Sequence, residues 1–500
     1  MPSPTTLTLR DISFSYNTSP QTLFSQLDLT LTPGFIGIVG ANGSGKSTLL
    51  RLICRQLEPS SGTIEGSTEA IYCEQRCDSP PEDYAEFTDD WSRAGIRLRA
   101  GFGIENDAQT FWSHLSYGER KRRQIAHALW QTPEILALDE PTNHLDDAGR
   151  TLLIENLRRF KGIGLLVSHD RNLLDALCNQ ILWLDAGSVH ILSGNYSEAA
   201  TQRAQAQERA VHHRRVLKKQ HQALRLEAAK RRQSASAEHR NRSKRGIKRS
   251  DHDAKAKINL RRVTDSGAGQ PLKRLDSRVQ RTEAQLKSHK VQKVHRSGVW
   301  LNAEPTRRDA VLDLPPGQLS MTSTRSISWP PLHIHPRQRI ALIGHNGAGK
   351  STFLKHLAEM QRVEDSHTLY LPQDIPAKTA QALLAKVKLK SAAELGALMN
   401  IVSRLNSRPE ALLASQQPSP GEIRKLMLAE GLSRDMQLLM LDEPTNHMDL
   451  PSIEALEHAL ADCPCAMVIV SHDSHLIDHI DAERWYFRVS NSGRTVIETV

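Results

Sequence analysis

A nine-residue string, LDEPTNHLD from Leu138 to Asp146, returns as LDEPTNHMD from Leu441 to Asp449. Three more strings recur in the same order. GANGSGKST (Gly40 to Thr48) returns as GHNGAGKST (Gly344 to Thr352), LSYGE at Leu115 as PSPGE at Pro418, and LLVSHD ending at Asp170 as VIVSHD ending at Asp473. The two lysines lie 304 residues apart; the serines, aspartates and final histidines lie 303 apart. Matching strings at a near-constant offset require the chain to fold twice into the same domain. The copies occupy residues 1–197 and 302–500, and residues 198–301 join them. A length of 500 residues accommodates this division.

The first recurring string is a phosphate-binding loop. It follows the apolar stretch Phe35 to Val39 and opens a predicted helix, Ser47 to Ile53, which is the context the motif needs. Gly40, Gly43 and Gly45, with Gly344, Gly347 and Gly349, let backbone N–H groups approach phosphate. Asn42 and Thr48, with Asn346 and Thr352, complete the two loops. The helix N-terminus favours the negative charge. Lys46 and Lys350 are expected to reach the β and γ phosphates, and Ser47 and Ser351 to ligate Mg²⁺.

ILALDE (Ile135 to Glu140) and LLMLDE (Leu438 to Glu443) are apolar runs ending in two carboxylates. They read as buried strands with the acids at the C-terminal edge, where ligands bind in open α/β sheets. Asp139 and Asp442 are expected to hold the metal, and Glu140 and Glu443 to orient the attacking water. His169 and His472 each follow an apolar strand, in a repeated setting that points to a γ-phosphate sensor. Gln75 and Gln373 end the short strands AIYCEQ and TLYLPQ, with expected contacts to Mg²⁺ and the attacking water.

Together these residues resemble the ATP-binding cassette family, across both copies. The most specific element is the signature Ser-x-Gly-Glu ahead of the LDE strand: Ser116, Gly118 and Glu119, then Ser419, Gly421 and Glu422. The resemblance implies an α/β fold, two phosphate-loop cassette domains in tandem, with ATP and Mg²⁺ as ligands. It also implies two composite sites formed when the halves close head to tail within one chain, as a monomer. One would join Lys46, Gln75, Asp139, Glu140 and His169 to Ser419 and Gly421. The other would join Lys350, Gln373, Asp442, Glu443 and His472 to Ser116 and Gly118. Asp146 and Asp449 would lie at the interface.

The segment between the copies is chemically distinct. Residues 199–300 hold 28 Lys and Arg against 8 Asp and Glu, a net of +20, which leaves −11 for the rest of the chain. No proline interrupts Thr201 to Gln270, and Ala, Gln, Arg, Lys and Leu favour helix. Leu272, Leu275, Val279, Thr282 and Leu286 alternate threes and fours, a heptad seam. An antiparallel helical hairpin is expected, with the basic stretch from His239 to Arg262 as its tip. A solvated linker would balance its charges, whereas +20 calls for a polyanion such as a phosphate backbone. Few aromatics interleave, so backbone and shape, not base stacking, would be read.

Tandem cassettes with a basic helical linker resemble the ABC-F family, in which LDEPTNHLD and a GNYS before the linker are familiar. That resemblance implies ribosome binding, with residues 199–300 probing ribosomal RNA and peptidyl-site tRNA, in a translation factor or a protein that protects the ribosome from antibiotics. Two other classes compete: the ATPase subunit of a membrane transporter, and a DNA-repair or DNA-branch ATPase. The first has no reason to carry a +20 hairpin, and relatives of the second often carry a C-terminal coiled coil, whereas this sequence ends 28 residues after His472. No run of about 18 apolar residues is present, so no membrane span and no obligate membrane partner are expected. The N-terminus carries no secretory pattern, and a cytoplasmic location is expected. The six cysteines match no metal-ligand spacing and are expected as free thiols.

The sequence departs from the cassette pattern in three places. Tyr16 stands where an adenine-stacking aromatic is expected, but its counterpart position is Ser320, with Trp329 out of register. Pro418 replaces Leu115 ahead of the second signature, which bears on how that helix starts. Only 41 positions separate Gln75 from Ser116, so the helical arm many relatives insert there is expected to be missing.

Overall fold

The computed structural model describes residues 6–17, 22–104, 111–143, 145–185, 187–241, 269–288, 309–322, 325–361, 367–407, 409–415, 418–490 and 494–499. Both copies fall in one compact unit, Met1–Ala199 with His295–Val500, and Ala200–Val294 form a second.

ILALD (Ile135–Asp139) and IGLLV (Ile163–Val167) are fully buried strands, and Gly34–Gly40 lies parallel beside the latter. Strands covered on both faces need no polar alternation, which is why they read as continuous apolar runs. The sheet order is Ala70–Cys73, Ile135–Asp139, Ile163–Val167, Gly34–Gly40, Cys178–Asp185 and Ser188–Ser193, parallel except for the last strand. The second copy repeats that order with Thr368–Leu371, Leu438–Asp442, Ala466–Val470, Arg339–Ile343, Glu483–Val489 and Arg494–Thr499. Ser326–Trp329 and Gly317–Ser320 extend it to eight strands.

The helix after each phosphate loop is fixed by this sheet. In Lys46–Ile53, the side chains of Leu49, Leu50, Leu52 and Ile53 are fully buried, in one cluster with Ile36, Ile38 and Leu165. At roughly 1.5–3 kcal/mol per buried Leu or Ile, packing outweighs the weak propensity of so short a helix. The counterpart Lys350–Met360 buries Phe353, Leu354 and Leu357. Asp139 and Asp442 are the last residues of their strands, so both acids stand at the C-terminal edge of the sheet beside the loops.

A helical layer lies between the glutamine strand and the LDE strand in each copy. In the first, Tyr84–Thr88, Arg93–Gly101 and the short 3-10 helix Trp112–His114 are its described helices before Tyr117–Trp130. In the second, Ala377–Lys388, Ala392–Arg404 and Pro409–Ala414 precede Pro420–Leu432. Pro418 does not disturb the second signature helix. Ser419 caps Pro420–Leu432 with a side chain that accepts from Glu422 N–H, the same capping box Ser116 makes with Glu119.

The second unit holds most of a 46-residue helix, Tyr196–Asn241, and a 20-residue helix, Gly269–Ser288. Arg232 pairs with Asp276 at 2.7 Å and His221 Nδ1 lies 3.1 Å from Thr282 Oγ1, so the two helices run antiparallel. Leu275 of the heptad seam is buried, as are Leu217 and Ala228. The basic stretch expected at the tip lies largely outside the described residues. All six cysteines are free. Among the described residues, no helix is long and apolar enough to cross a membrane.

Candidate nucleotide-binding sites

Both phosphate loops adopt one backbone conformation. Gly43 and Gly45 have φ of +75° and +96°; Gly347 and Gly349 have +78° and +95°. These are left-handed values that side chains disfavour. Lys46 Nζ donates to the carbonyls of Gly40 at 2.9 Å and Ala41 at 3.2 Å, and Lys350 Nζ to those of Gly344 at 2.5 Å and His345 at 3.1 Å. Burial holds both lysines below their ordinary pKa, opposed first by Glu140 and Glu443 respectively.

Directly after each carboxylate strand the chain turns through a non-glycine residue with positive φ: Glu140 at 48° and Glu443 at 45°. Such a conformation costs on the order of 1–3 kcal/mol and persists where the surroundings impose it. Here the peptide N–H of each glutamate donates at 2.8 Å to the neighbouring strand, at Val167 and Val470. Each carboxylate is thereby turned toward the histidine. His169 Nε2 lies 3.1 Å from Glu140 Oε1, and His472 Nε2 lies 3.7 Å from Glu443 Oε1. Burial pushes both glutamates up to about 8 and takes His169 down to about 3 and His472 to about 4. At neutral pH both histidines are uncharged.

The metal-ligand candidates differ between copies. Ser351 Oγ donates to Asp442 Oδ1 at 3.0 Å, which places the two together. In the first copy Asp139 Oδ2 instead accepts from the Tyr72 hydroxyl at 2.8 Å, and Ser47 is exposed. Among the described residues no group of three or more His, Cys, Asp or Glu side chains offers a metal cage. A hydroxyl beside a carboxylate is the partial donor set that suits Mg²⁺ when phosphate and water supply the remaining ligands. Gln75 is exposed, and its carbonyl accepts from the Tyr117 hydroxyl; the Gln373 carbonyl accepts from Arg424 Nη2.

Comparison with known proteins agrees with this geometry. A family model described as ABC transporter matches residues 24–143 and 330–446, one stretch in each copy. The ribosome protection protein VmlR of Bacillus subtilis is 28% identical over 96% of this chain and 86% of its own length. The erythromycin resistance ATP-binding protein MsrA of Staphylococcus epidermidis is 26% identical over 90% of this chain and 91% of its own. The chain belongs to the ABC-F family. A solved structure of the archaeal ribosome recycling factor aABCE1 shares the fold, with a TM-score of 0.61 at 18% identity over 97% of this chain and 89% of that one. The two copies are ATP-binding cassettes.

In this ABC-F chain the cassettes meet head to tail. The phosphate loop of the first is gripped by the second: Asn42 N–H donates to Asp449 Oδ2 at 2.7 Å, and Asn42 Nδ2 to the His447 carbonyl at 3.3 Å. A Cβ added at Gly421 would lie 2.3 Å from the His447 carbonyl oxygen, and 3.9 Å from Asn42 Nδ2. Only glycine therefore fits between the second signature and the 447 loop. On the other side Arg150 Nη1 donates to the His472 carbonyl at 3.3 Å, while Arg150 Nε pairs with Asp170 at 2.7 Å. Asn172 and His475 occupy equivalent positions, 303 apart, and their side chains meet at 3.0 Å. A residue that touches its own equivalent marks the approximate two-fold axis.

Asp449 meets the other cassette at Asn42, but the residues that hold it in place, and two further cross-cassette pairs, escaped the sequence reading. Asp449 is buried with Lys425 and Ser452: Lys425 Nζ donates to Ser452 Oγ at 2.5 Å, and Ser452 Oγ donates in turn to Asp449. Burial opposes the Asp449 charge, but Lys425 and these hydrogen bonds hold its carboxyl below the usual range. Arg171 forks onto Glu457 across the cassettes at 2.9 and 3.0 Å, and Tyr196 donates to Glu454 at 2.9 Å. Nothing in the repeat signals these pairs, because their counterparts in the other copy differ.

Tyr16, the residue expected to stack adenine, is 41% exposed, edge-on to Phe14 at 4.9 Å, with its hydroxyl 2.9 Å from Thr48 Oγ1. Trp329 is no substitute in the second cassette. It is a core residue packed on Phe353, and its indole N–H donates to the Pro315 carbonyl at 2.9 Å. Met321 lies against the second phosphate loop, its sulfur 2.6 Å from where a Cβ on Gly349 would be.

Proposed function

We propose that this ABC-F protein is an ATPase that acts on the ribosome in the cytoplasm, binding it with the cassettes closed and leaving it after hydrolysis. The observation that carries the reading is the Asn42–Asp449 grip. It brings the phosphate loop of one cassette against the signature end of the other, the arrangement in which a nucleotide would join the two halves.

Lys46 and Lys350 are then the residues that meet the β and γ phosphates, exchanging loop carbonyls for phosphate oxygens. The backbone of Asn42 to Thr48 and of Asn346 to Thr352 cradles them. Ser419 and Gly421, and in the other site Ser116 and Gly118, face the γ phosphate from the opposite side, with Glu422 and Glu119 holding the serines in place. Ser47 with Asp139, and Ser351 with Asp442, would hold Mg²⁺, aided by Gln75 and Gln373; the ion would neutralise charge on the β and γ oxygens. Glu140 and Glu443 polarise the water. A glutamate with pKa near 8 is matched to taking a proton at neutral pH. His169 and His472, uncharged, are hydrogen-bonding sensors of the γ phosphate. Tyr16 stacks adenine in the first site only.

The partner follows from the +20 of residues 199–300, which fits an RNA phosphate backbone. Two relatives are named for ribosome protection and erythromycin resistance, and protection from an antibiotic is the reading we extend to this chain. The test is co-sedimentation of the Glu140→Gln/Glu443→Gln protein with ribosomes in ATP across a salt series. ATP-dependent pelleting that weakens steeply with salt is expected. No pelleting at low salt, from protein that binds ATP, would overturn the reading.

A further inference from the structure

Each signature helix carries a buried cation that the scheme above leaves without a task. Lys121 and Arg424 occupy equivalent positions, 303 apart, five residues after the signature serine. They are 0% and 2% exposed. Lys121 Nζ donates to the Glu74 carbonyl and, at 3.4 Å, to that of Asp139. Arg424 donates to the Gln373 carbonyl and to those of Asp442 at 3.3 Å and Glu443 at 2.6 Å. The two cations therefore join the same three elements: the signature helix, the chain at the glutamine, and the end of the carboxylate strand.

That strand end needs a donor. At Glu140 and Glu443 the backbone turns into the left-handed region as the strand ends, and there the carbonyls of Asp139, Asp442 and Glu443 accept from the two cations. Buried carbonyls without partners are costly, and a cation can satisfy several at once. Folding alone does not demand a charge, since burying an ammonium or guanidinium is itself unfavourable and an apolar side chain of similar volume is often as stable. The cation recurs although its chemical type changes, and what it touches is in both copies the backbone beside the proposed metal-holding and water-polarising acids.

We propose that Lys121 and Arg424 are positioning residues for ATP hydrolysis: each fastens the helix whose start faces one nucleotide site to the glutamine and carboxylate strand of its own cassette's site. This rests on the ATPase reading above. The acids keep their angle only while the strut is in place, and the strut makes a signature helix and its own cassette's acids move as one body.

The experiment measures ATPase kcat and KM for the full-length protein and for Lys121→Met, Arg424→Met and the two exchanges Lys121→Arg and Arg424→Lys. Displacement of reacting groups by an ångström can cost about 100-fold, so the Met variants are expected to lose roughly 10- to 100-fold in kcat, with KM changed by less than about 3-fold. The exchanges are expected to restore kcat to within about 3-fold, since each cassette already uses the other's cation. Should a Met variant fail to fold, Lys121→Gln and Arg424→Gln carry the same test, because one amide cannot span both carbonyls. Wild-type kcat in the Met or Gln variants, or a loss that the exchanges share, overturns the proposal. A wild-type protein with no ATPase activity overturns the ATPase reading instead.

Discussion

Glu140 and Glu443, the glutamates proposed to polarise water, make opposite demands on stability and on chemistry. Their folded pKa is raised from 4.5 to about 8 by burial, so between those values the folded chain holds protons that the unfolded chain has released. Stability from this source is present at low pH and is lost as pH rises toward 8. His169 and His472, lowered from 6.5, work the other way, but only below 6.5. Above pH 6.5 the histidines no longer oppose the glutamates. The nucleotide-free protein should therefore lose stability between pH 6.5 and 8, on the order of 2 kcal/mol for each glutamate. Urea unfolding at the two pH values checks this, and Glu140→Gln/Glu443→Gln should flatten the difference. Wild-type kcat should rise across the same interval as the carboxylates ionise. A stability that rises with pH there would contradict the assignment.

Among the elements, the strings LDEPTNHLD and LDEPTNHMD differ at one position, yet their final aspartates are held differently. Asp449 is 2% exposed against buried Lys425 and Ser452. The carboxylate of its counterpart Asp146 accepts only from Gly149 N–H, at 2.9 Å, among its described partners. Arg122, at the position of Lys425, donates instead to the Phe102 carbonyl at 2.8 Å. Asp449→Ala strands a buried ammonium and should cost about 3–5 kcal/mol. Asp146→Ala removes a helix cap and should cost about 1 kcal/mol. Thermal or urea unfolding of the two variants checks the asymmetry, and equal losses would refute it. The difference also shows what sequence can and cannot carry. Loops, carboxylate strands and signatures were legible, because nucleotide chemistry fixes their residue types and spacing; so was the fate of the apolar runs as central strands. Lys121 was hidden inside the run ERKRR, where neighbouring charges look alike until burial separates them. The division between Tyr72–Asp139 in one cassette and Ser351–Asp442 in the other is a choice of side-chain partner, which no motif encodes. The lack of a second ring at the position expected to stack adenine was legible, but that Met321 lies against that phosphate loop was not.

For the whole molecule, the asymmetry extends to how the cassettes hold each other. Arg171 and Glu457 make a two-pronged pair, 13% and 7% exposed, across the cassette boundary. The equivalent positions on the other side are Ser474 and Ile154, which cannot form an ion pair. The boundary thus carries this fork at only one of two equivalent places, and the fork should favour closure. Forked Arg–carboxylate pairs with little water access couple strongly, and a double-mutant cycle over Arg171→Ala and Glu457→Ala should return about 1.5–3 kcal/mol. The readout is the ATP concentration for half-maximal closure, followed by energy transfer between dyes on the two cassettes. Glu457→Ala alone should raise it about 10-fold or more, the equivalent of about 1.4 kcal/mol. Additive effects would mean the fork contributes nothing to closure. The complementary change is Ser474→Arg with Ile154→Glu, which supplies the missing tie. Closure should then need less ATP, and steady-state turnover should fall, because product release requires the halves to part and both edges would now resist it. A doubly tied protein that turns over as fast as the natural one would show that opening does not limit the cycle.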